Sequence, residues 1–176
     1  PATVDLAPGP RRDMQAAIRQ GRFTKVDSVL LARNGTLALE AYFNGYTRET
    51  KHDTRSVFKS FASTLLGIAV DRGLLLLDDR PVAGYFPDYW PQIAVDRAKK
   101  DRITLPQMLT MTSALGTTEQ PEEWPNSEIR MELAEDWVAY SLDLPMWQQP
   151  GTHFHYHSST TMLIGQVVSR AAGEPL

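Results

Sequence analysis

Residues 55–73 read RSVFKSFASTLLGIAVDRG and hold a serine and a lysine three positions apart, Ser56 and Lys59. Val57, Phe58, Phe61, Leu65, Leu66, Ile68 and Ala69 make the segment apolar almost all round, which predicts a buried helix from Ser56 to Arg72. Gly73 suits a left-handed cap at its end. On a helix, residues i and i+3 share a face one turn apart, so Ser56 would stand at the first turn beside Lys59. A helix N-terminus favours an oxyanion, and burial of a lysine favours its neutral amine. Such an amine can take a serine proton and make the hydroxyl a nucleophile. The competing reading has Ser56 capping the helix and Lys59 reaching solvent. A chain of this length shows about one S-x-x-K by chance, so the pair alone does not choose.

Upstream, SVLLAR and TLALEAYF flank Asn34-Gly35, the signal of a hairpin over residues 28–43 with a type I′ turn. Asn34-Gly35-Thr36 is also a glycosylation sequon, but turn chemistry explains it first. Met14, Ala17 and Ile18 share one face of a short amphipathic helix, and the Pro-rich residues 1–10 predict an extended arm. Downstream, LLLLDDRPVAGYFPDYWP reads as a turn-rich connector, and TLPQMLTMTS and MELAEDWVAYSL as helices. LPMWQQPGTHFHYH is an extended passage with a Pro-Gly turn. SSTTMLIGQVVSRAAG is a last helix, opened by Ser158 or Ser159 and closed by Gly173.

The 176 residues suit one domain, with 42% hydrophobic and 22% charged residues, ordinary for a globular chain. A net charge of −3 without a Lys/Arg block leaves no electrostatic footprint for nucleic acid. No apolar run is long enough for a transmembrane segment. Without cysteine, neither disulfides nor thiolate metal sites exist.

Three ordered blocks carry a resemblance: SVFKSFASTLLGIAVDRGLLLLDDRPVAGYFPD, ITLPQMLTMTSAL and PMWQQPGTHFHYHSSTTMLIGQVVSRAAGEPL. Together they resemble the serine β-lactamase superfamily, which includes penicillin-binding DD-peptidases, class C β-lactamases and family VIII carboxylesterases. Within it the chain looks most like the branch of esterases and 6-aminohexanoate-dimer hydrolase. The resemblance implies an α+β, β-lactamase/transpeptidase-like fold, an antiparallel sheet flanked by helices with an inserted, mainly helical region over 74–150. It also implies that residues 1–176 form the N-terminal part of one such domain. The family's third element, a K-T-G-type strand, has no counterpart after residue 158, so a C-terminal remainder with further strands is expected.

The same resemblance places Ser56 on the acylated nucleophile, Lys59 on its lysine and Tyr156 on the tyrosine of a Y-x-N motif, here Tyr156-His157-Ser158. Lys59 and Tyr156 would then titrate as a coupled pair and act as the general base/acid pair, Tyr156 shuttling the proton from Ser56 to the leaving group and later activating water. The implied reaction is hydrolysis of a small ester or amide through an acyl-Ser56 intermediate, with no cofactor. A β-lactamase or DD-peptidase of the same superfamily, or an inactive ligand-binding relative, are the alternatives. Family members are commonly periplasmic or secreted in bacteria; the residues leave the compartment open. Two departures stand out: Ala114-Leu115 where the family has Gly-Leu, and Ser158 where it has asparagine, which favours esters or amides over β-lactams.

Ser158, His155, His157 and Trp147 are candidate substrate contacts. His153, His155 and His157 alternate, so on a strand they share one face, with Tyr156 on the other. The outer two would lie about 13 Å apart, too far for one metal, and no metal site is assigned. Asp78-Asp79 reads as turn capping, Glu122, Glu123, Glu132 and Glu135 as a solvated acidic patch. Trp124, Trp137 and Trp147 are core or acyl-pocket residues.

Overall fold

The structure, a computed structural model, describes residues 7–117 and 127–175. The chain divides into two compact units, residues 1–53 and 54–176.

The first unit holds helix α1 (Pro8–Arg19) and the hairpin of β1 (Ser28–Arg33) and β2 (Thr36–Tyr42). The helix begins inside the segment expected to be an extended arm, because proline is tolerated in a helix's first turn; residues 1–6 lie outside the described residues. Ala17 is buried and Met14 and Ile18 half-buried, the face that the spacing predicts. The strands pair antiparallel from Ser28↔Tyr42 to Arg33↔Thr36, with a bulge after Leu31 that shifts the register by one residue. Asn34 and Gly35 have φ of 50° and 75°, the two positive values of a type I′ turn.

The second unit is helical. A 3-10 turn (Arg55–Val57) leads into α2 (Phe58–Asp71), so the helix starts two residues later than expected and Ser56 sits in the tighter turn. Gly73, at φ 70°, follows its end as predicted. The expectation of burial on all sides is corrected. Ala62, Leu66 and Ala69 are buried, whereas Val57, Phe58, Phe61 and Ile68 are exposed. Only the stripe at i, i+4 and i+7 meets the core; the apolar composition by itself did not say which faces have a neighbour.

The connector makes 3-10 turns at Val82–Tyr85 and Trp90–Gln92, then α3 (Arg97–Lys100). Asp78 accepts hydrogen bonds from the backbone N–H and the Nε of Arg80, the turn role expected of it. In α4 (Leu105–Leu109), Thr104 and Gln107 form a reciprocal capping box. MELAEDWVAYSL is two helices, α5 (Glu128–Glu132) and α6 (Trp137–Asp143). The Asp136 carboxylate breaks the run by accepting from the N–H groups of Val138 and Ala139, which starts a new helix. Glu132 and Glu135 are exposed; Glu122, Glu123 and Trp124 lie outside the described residues.

The last helix, α7 (Ser158–Ala172), ends at Gly173 with φ 71°, as predicted. Its N-cap is His157, with no side-chain cap, so Ser158 and Ser159 are helical residues and not the openers expected. Leu163, Ile164, Val167 and Val168 of α7 pack with Leu66 and Ala69 of α2. Phe86, Trp90, Leu105, Met108 and Leu142 complete the core around them. Arg170 clamps α7 to the connector by a bidentate pair with Asp88 at 2.7 and 2.8 Å. Among the described residues no helix is long and apolar enough to cross a membrane.

Candidate active site

The centre forms where the first turn of α2 meets the first turn of α7. Ser56 is exposed on its 3-10 turn, and the residue before it, Arg55, has a φ of 43°. That left-handed conformation is costly for a residue with a Cβ and re-aims the chain just ahead of the serine. Lys59 is half-buried. Its Nζ donates to Ser56 Oγ at 3.3 Å and to Ser158 Oγ at 2.8 Å. The lysine therefore bridges two hydroxyls that lie far apart in the chain. It also sits over the Tyr156 ring, 4.8 Å from the centroid. All three residues that the resemblance assigns to catalysis are thus brought together, with Ser158 as a fourth. Tyr156 meets Lys59 through its ring face, within cation–π range.

Residues 153–157 deliver Tyr156 and Ser158. Side chains alternate along this segment: Phe154 and Tyr156 are exposed, His155 is half-buried and His157 is buried. The expected common face of the three histidines is present. His155 lies 5.8 Å from His157, ring to ring, and Trp147 lies 5.7 and 5.6 Å from His153 and His155. Trp147 is half exposed at the edge of this row.

The placement of His157 is a correction. At 1% exposure it faces the core, not a substrate, because the alternation that exposes Tyr156 turns its neighbour inward. Its backbone N–H points to Met111 Sδ, and its Nε2 lies 3.3 Å from Ser113 Oγ. Burial, then the nearby His155 and Lys59, push its pKa down from 6.5 to about 3. Burial thus favours the neutral imidazole of His157.

The loop that receives it went unnoticed as a functional support in the sequence. Met111 O accepts from His155 N–H at 2.8 Å, and Ser113 is fully buried. Ala114, at the position where the family carries glycine, has a φ of 64°. Alanine there costs about 1–2 kcal/mol relative to a relaxed backbone. Next to it, Gly116 donates to Pro145 O at 2.6 Å, and a Cβ on Gly116 would meet that oxygen at 2.8 Å. Glycine permits this close approach, which aligns Leu115 with Met146 and sets Trp147 beside the histidines. The departure from the family pattern at Ala114 was the one available signal. No group of three His, Asp or Glu side chains among the described residues is placed to hold a metal.

Solved structures share this architecture. A provisionally named beta-lactamase from Bacteroides dorei DSM 17855 matches with a TM-score of 0.70 at 21% identity, over 97% of this chain and 48% of the other. A provisionally named 6-aminohexanoate-dimer hydrolase from Bacillus anthracis gives 0.69 at 18% identity, over 92% and 43%. A class C beta lactamase gives 0.65 at 22% identity, over 98% and 47%. The fold is thus the β-lactamase/transpeptidase-like one, a mixed helix and strand architecture with a small antiparallel sheet. The sequence model of the Beta-lactamase family matches residues 14–176, and the chain belongs to that family of hydrolases. It spans about half the length of each of these structures. Comparison with curated protein sequences finds no match.

Proposed function

We propose that the chain carries the acyl-transfer centre of a serine hydrolase acting on a small ester or amide, without a cofactor. Ser56 Oγ attacks the carbonyl carbon and its proton passes to Lys59 Nζ. The Lys59–Tyr156 pair then hands a proton to the leaving group as its bond to carbon breaks, and water releases acyl-Ser56 by giving its proton to the same pair, which returns one to Ser56 Oγ. The observation that carries this reading is the Lys59 amine, placed between Ser56 and Ser158 and above the Tyr156 ring. A ring face stabilises a cation by about 0.5–2 kcal/mol, so it favours the ammonium that forms as Lys59 takes up the proton. Trp147 and His155, at the edge of the same segment, are the proposed contacts for the rest of the substrate.

Active-site labelling tests the reading. A fluorophosphonate probe should modify the peptide containing Ser56, located by mass spectrometry, and Ser56→Ala should abolish labelling. Ser56→Ala should also lower kcat by about 10⁴-fold or more, since no other group can form the acyl-enzyme. Lys59→Arg should be nearly as damaging as Lys59→Ala, because a guanidinium does not deprotonate in proteins. An adduct on Ser158 or Ser159 would sink the assignment. A fluorescent penicillin labelling Ser56 would move the reading toward a β-lactamase or DD-peptidase. Silence of both probes would favour a ligand-binding relative.

A further inference from the structure

We propose that Asn34, at the tip of the β1–β2 hairpin, is a modification site that deamidates spontaneously to aspartate and isoaspartate. The chain's other Asn-Gly pair, Asn44-Gly45, is protected by its hydrogen bonds. The inference stands apart from the acyl-serine reading.

The two pairs make the same turn. Asn34 and Gly35 have φ of 50° and 75°, and Asn44 and Gly45 have 55° and 80°. Both values are positive in each pair, as a type I′ turn requires. The first turn is closed by the Arg33↔Thr36 pair, the second by Tyr46 N–H donating to Phe43 O at 3.0 Å. Both asparagines are exposed. A glycine follows each of them, so no Cβ crowds the ring that the reaction closes.

What differs is the carboxamide. Asn44 Nδ2 donates to Val26 O at 3.2 Å and to Asp27 Oδ1 at 3.1 Å, which ties the group to the residues just ahead of β1. The Asn34 carboxamide makes no hydrogen bond among the described residues, and Gly35 lies outside the strand ladder. The Asn34 side chain can therefore rotate until Cγ meets the Gly35 nitrogen, a motion confined to the two turn residues. At Asn44 the same rotation first breaks two hydrogen bonds.

The chemistry balances with water as its only co-reactant. Gly35 N–H gives its proton to hydroxide, and the nitrogen forms a bond to Asn34 Cγ. The Cγ–Nδ2 bond breaks, and Nδ2 leaves as ammonia after taking a proton from water, which regenerates hydroxide. A succinimide ring remains. Water then adds to one of its two carbonyls and the ring opens there. Opening at Cγ gives an ordinary aspartyl link; opening at the main-chain carbonyl gives an isoaspartyl link that runs through the side chain. Either product adds a negative charge at the tip. The isoaspartyl link also lengthens a loop whose two residues suit type I′ geometry.

The test uses the protein carrying its whole natural chain, kept folded in mildly alkaline buffer and sampled over time. Cleavage after Glu40 puts the two asparagines on separate peptides, and mass spectrometry follows the exchange of amide for acid on each. The Asn34 peptide should convert to two products separable by chromatography, at a rate that rises with hydroxide concentration. The Asn44 peptide should convert at least about tenfold more slowly, since two hydrogen bonds hold its carboxamide. In urea, where both turns are lost, the two rates should converge. Asp27→Ala removes one tie and should speed conversion at Asn44 severalfold while Asn34 keeps its rate. Asp27→Asn keeps an acceptor oxygen and should leave both rates as in the parent. An Asn34 that stays intact in the folded protein yet reacts in urea would overturn the site. Equal rates at the two pairs in the folded protein would overturn the protection of Asn44. An Asp27→Ala variant that leaves Asn44 as slow as before, or speeds both pairs alike, would remove the tie as its cause.

Discussion

His157 is the buried neighbour of the candidate centre. Its ring is buried, its Nδ1 has no hydrogen-bond partner among the described residues, and its pKa is pushed down to about 3, chiefly by burial. In the unfolded chain the same ring titrates near its ordinary 6.5. Between these values the unfolded state binds the additional proton, so stability is lost as pH falls from about 6.5 toward 3. The slope reaches at most about 1.4 kcal/mol per pH unit. His157→Gln keeps a polar side chain of similar reach that stays neutral. Melting temperatures from pH 7 to pH 4 should therefore fall less steeply in the variant than in the parent. Parallel curves would show that the imidazole is not excluded from protonation by the fold. The buried Lys100 is held by the same physics: burial lowers its pKa against the pull of Asp143 and Asp96.

At the scale of elements, the helices of the second unit are set by their ends. Asp136 stops α5 from running into α6. It caps α6 through Val138 and Ala139, and its other carboxylate oxygen accepts from the Tyr89 hydroxyl at 2.9 Å. The N–H groups, Ala139's first, hold its pKa below the usual carboxylate range. Its contribution is present above the unfolded pKa and is lost as the pH falls through the lowered one. Asp136→Ala should cost about 1–2 kcal/mol in denaturant unfolding, and Asp136→Asn should recover a large part of it, since asparagine also caps. A midpoint unchanged in Asp136→Ala would mean that tertiary packing alone defines the start of α6. Next to this well-capped region, α2 shows the opposite pattern: a buried stripe on α7 and open Phe58, Phe61 and Ile68.

For the whole molecule, the open row on α2 is the main clue. The described sheet has two strands, and a two-stranded sheet is marginal in water. The oxyanion of the proposed reaction needs two converging donors, and Ser56 N–H can be only one. The chain also spans about half of each structure it matches. We therefore propose that the working molecule includes a further segment that covers α2 and brings the second donor. Residues 1–176 expressed alone should lack both a cooperative thermal transition and ester hydrolysis. Adding the segment, on the same chain or as a second one, should restore both. A monomeric 176-residue product that melts sharply and hydrolyses esters would overturn this.

Signals that act over a few residues were legible in the sequence. Asn34-Gly35 sets the hairpin turn because both positions need positive φ, and Gly73 and Gly173 end α2 and α7 for the same reason. The meeting of Ser56 with Lys59 follows from three residues of helical spacing. Alternation along residues 153–157 separates Tyr156 from its histidine neighbours, although it did not say which side was the core. Tertiary structure decided the rest. Which faces of α2 are covered depends on where α7 lies, and composition is the same on both sides. From Pro8 on, the residues expected to be extended start α1, since proline suits a first helical turn, and a single expected helix became two because Asp136 caps a new one. Above all, the partner of Lys59 was decided by a contact across 99 positions. Spacing rules do not act over such distances. Only the packing of α7 on α2 puts Ser158 within 2.8 Å of the amine and leaves Tyr156 to cover it with its ring.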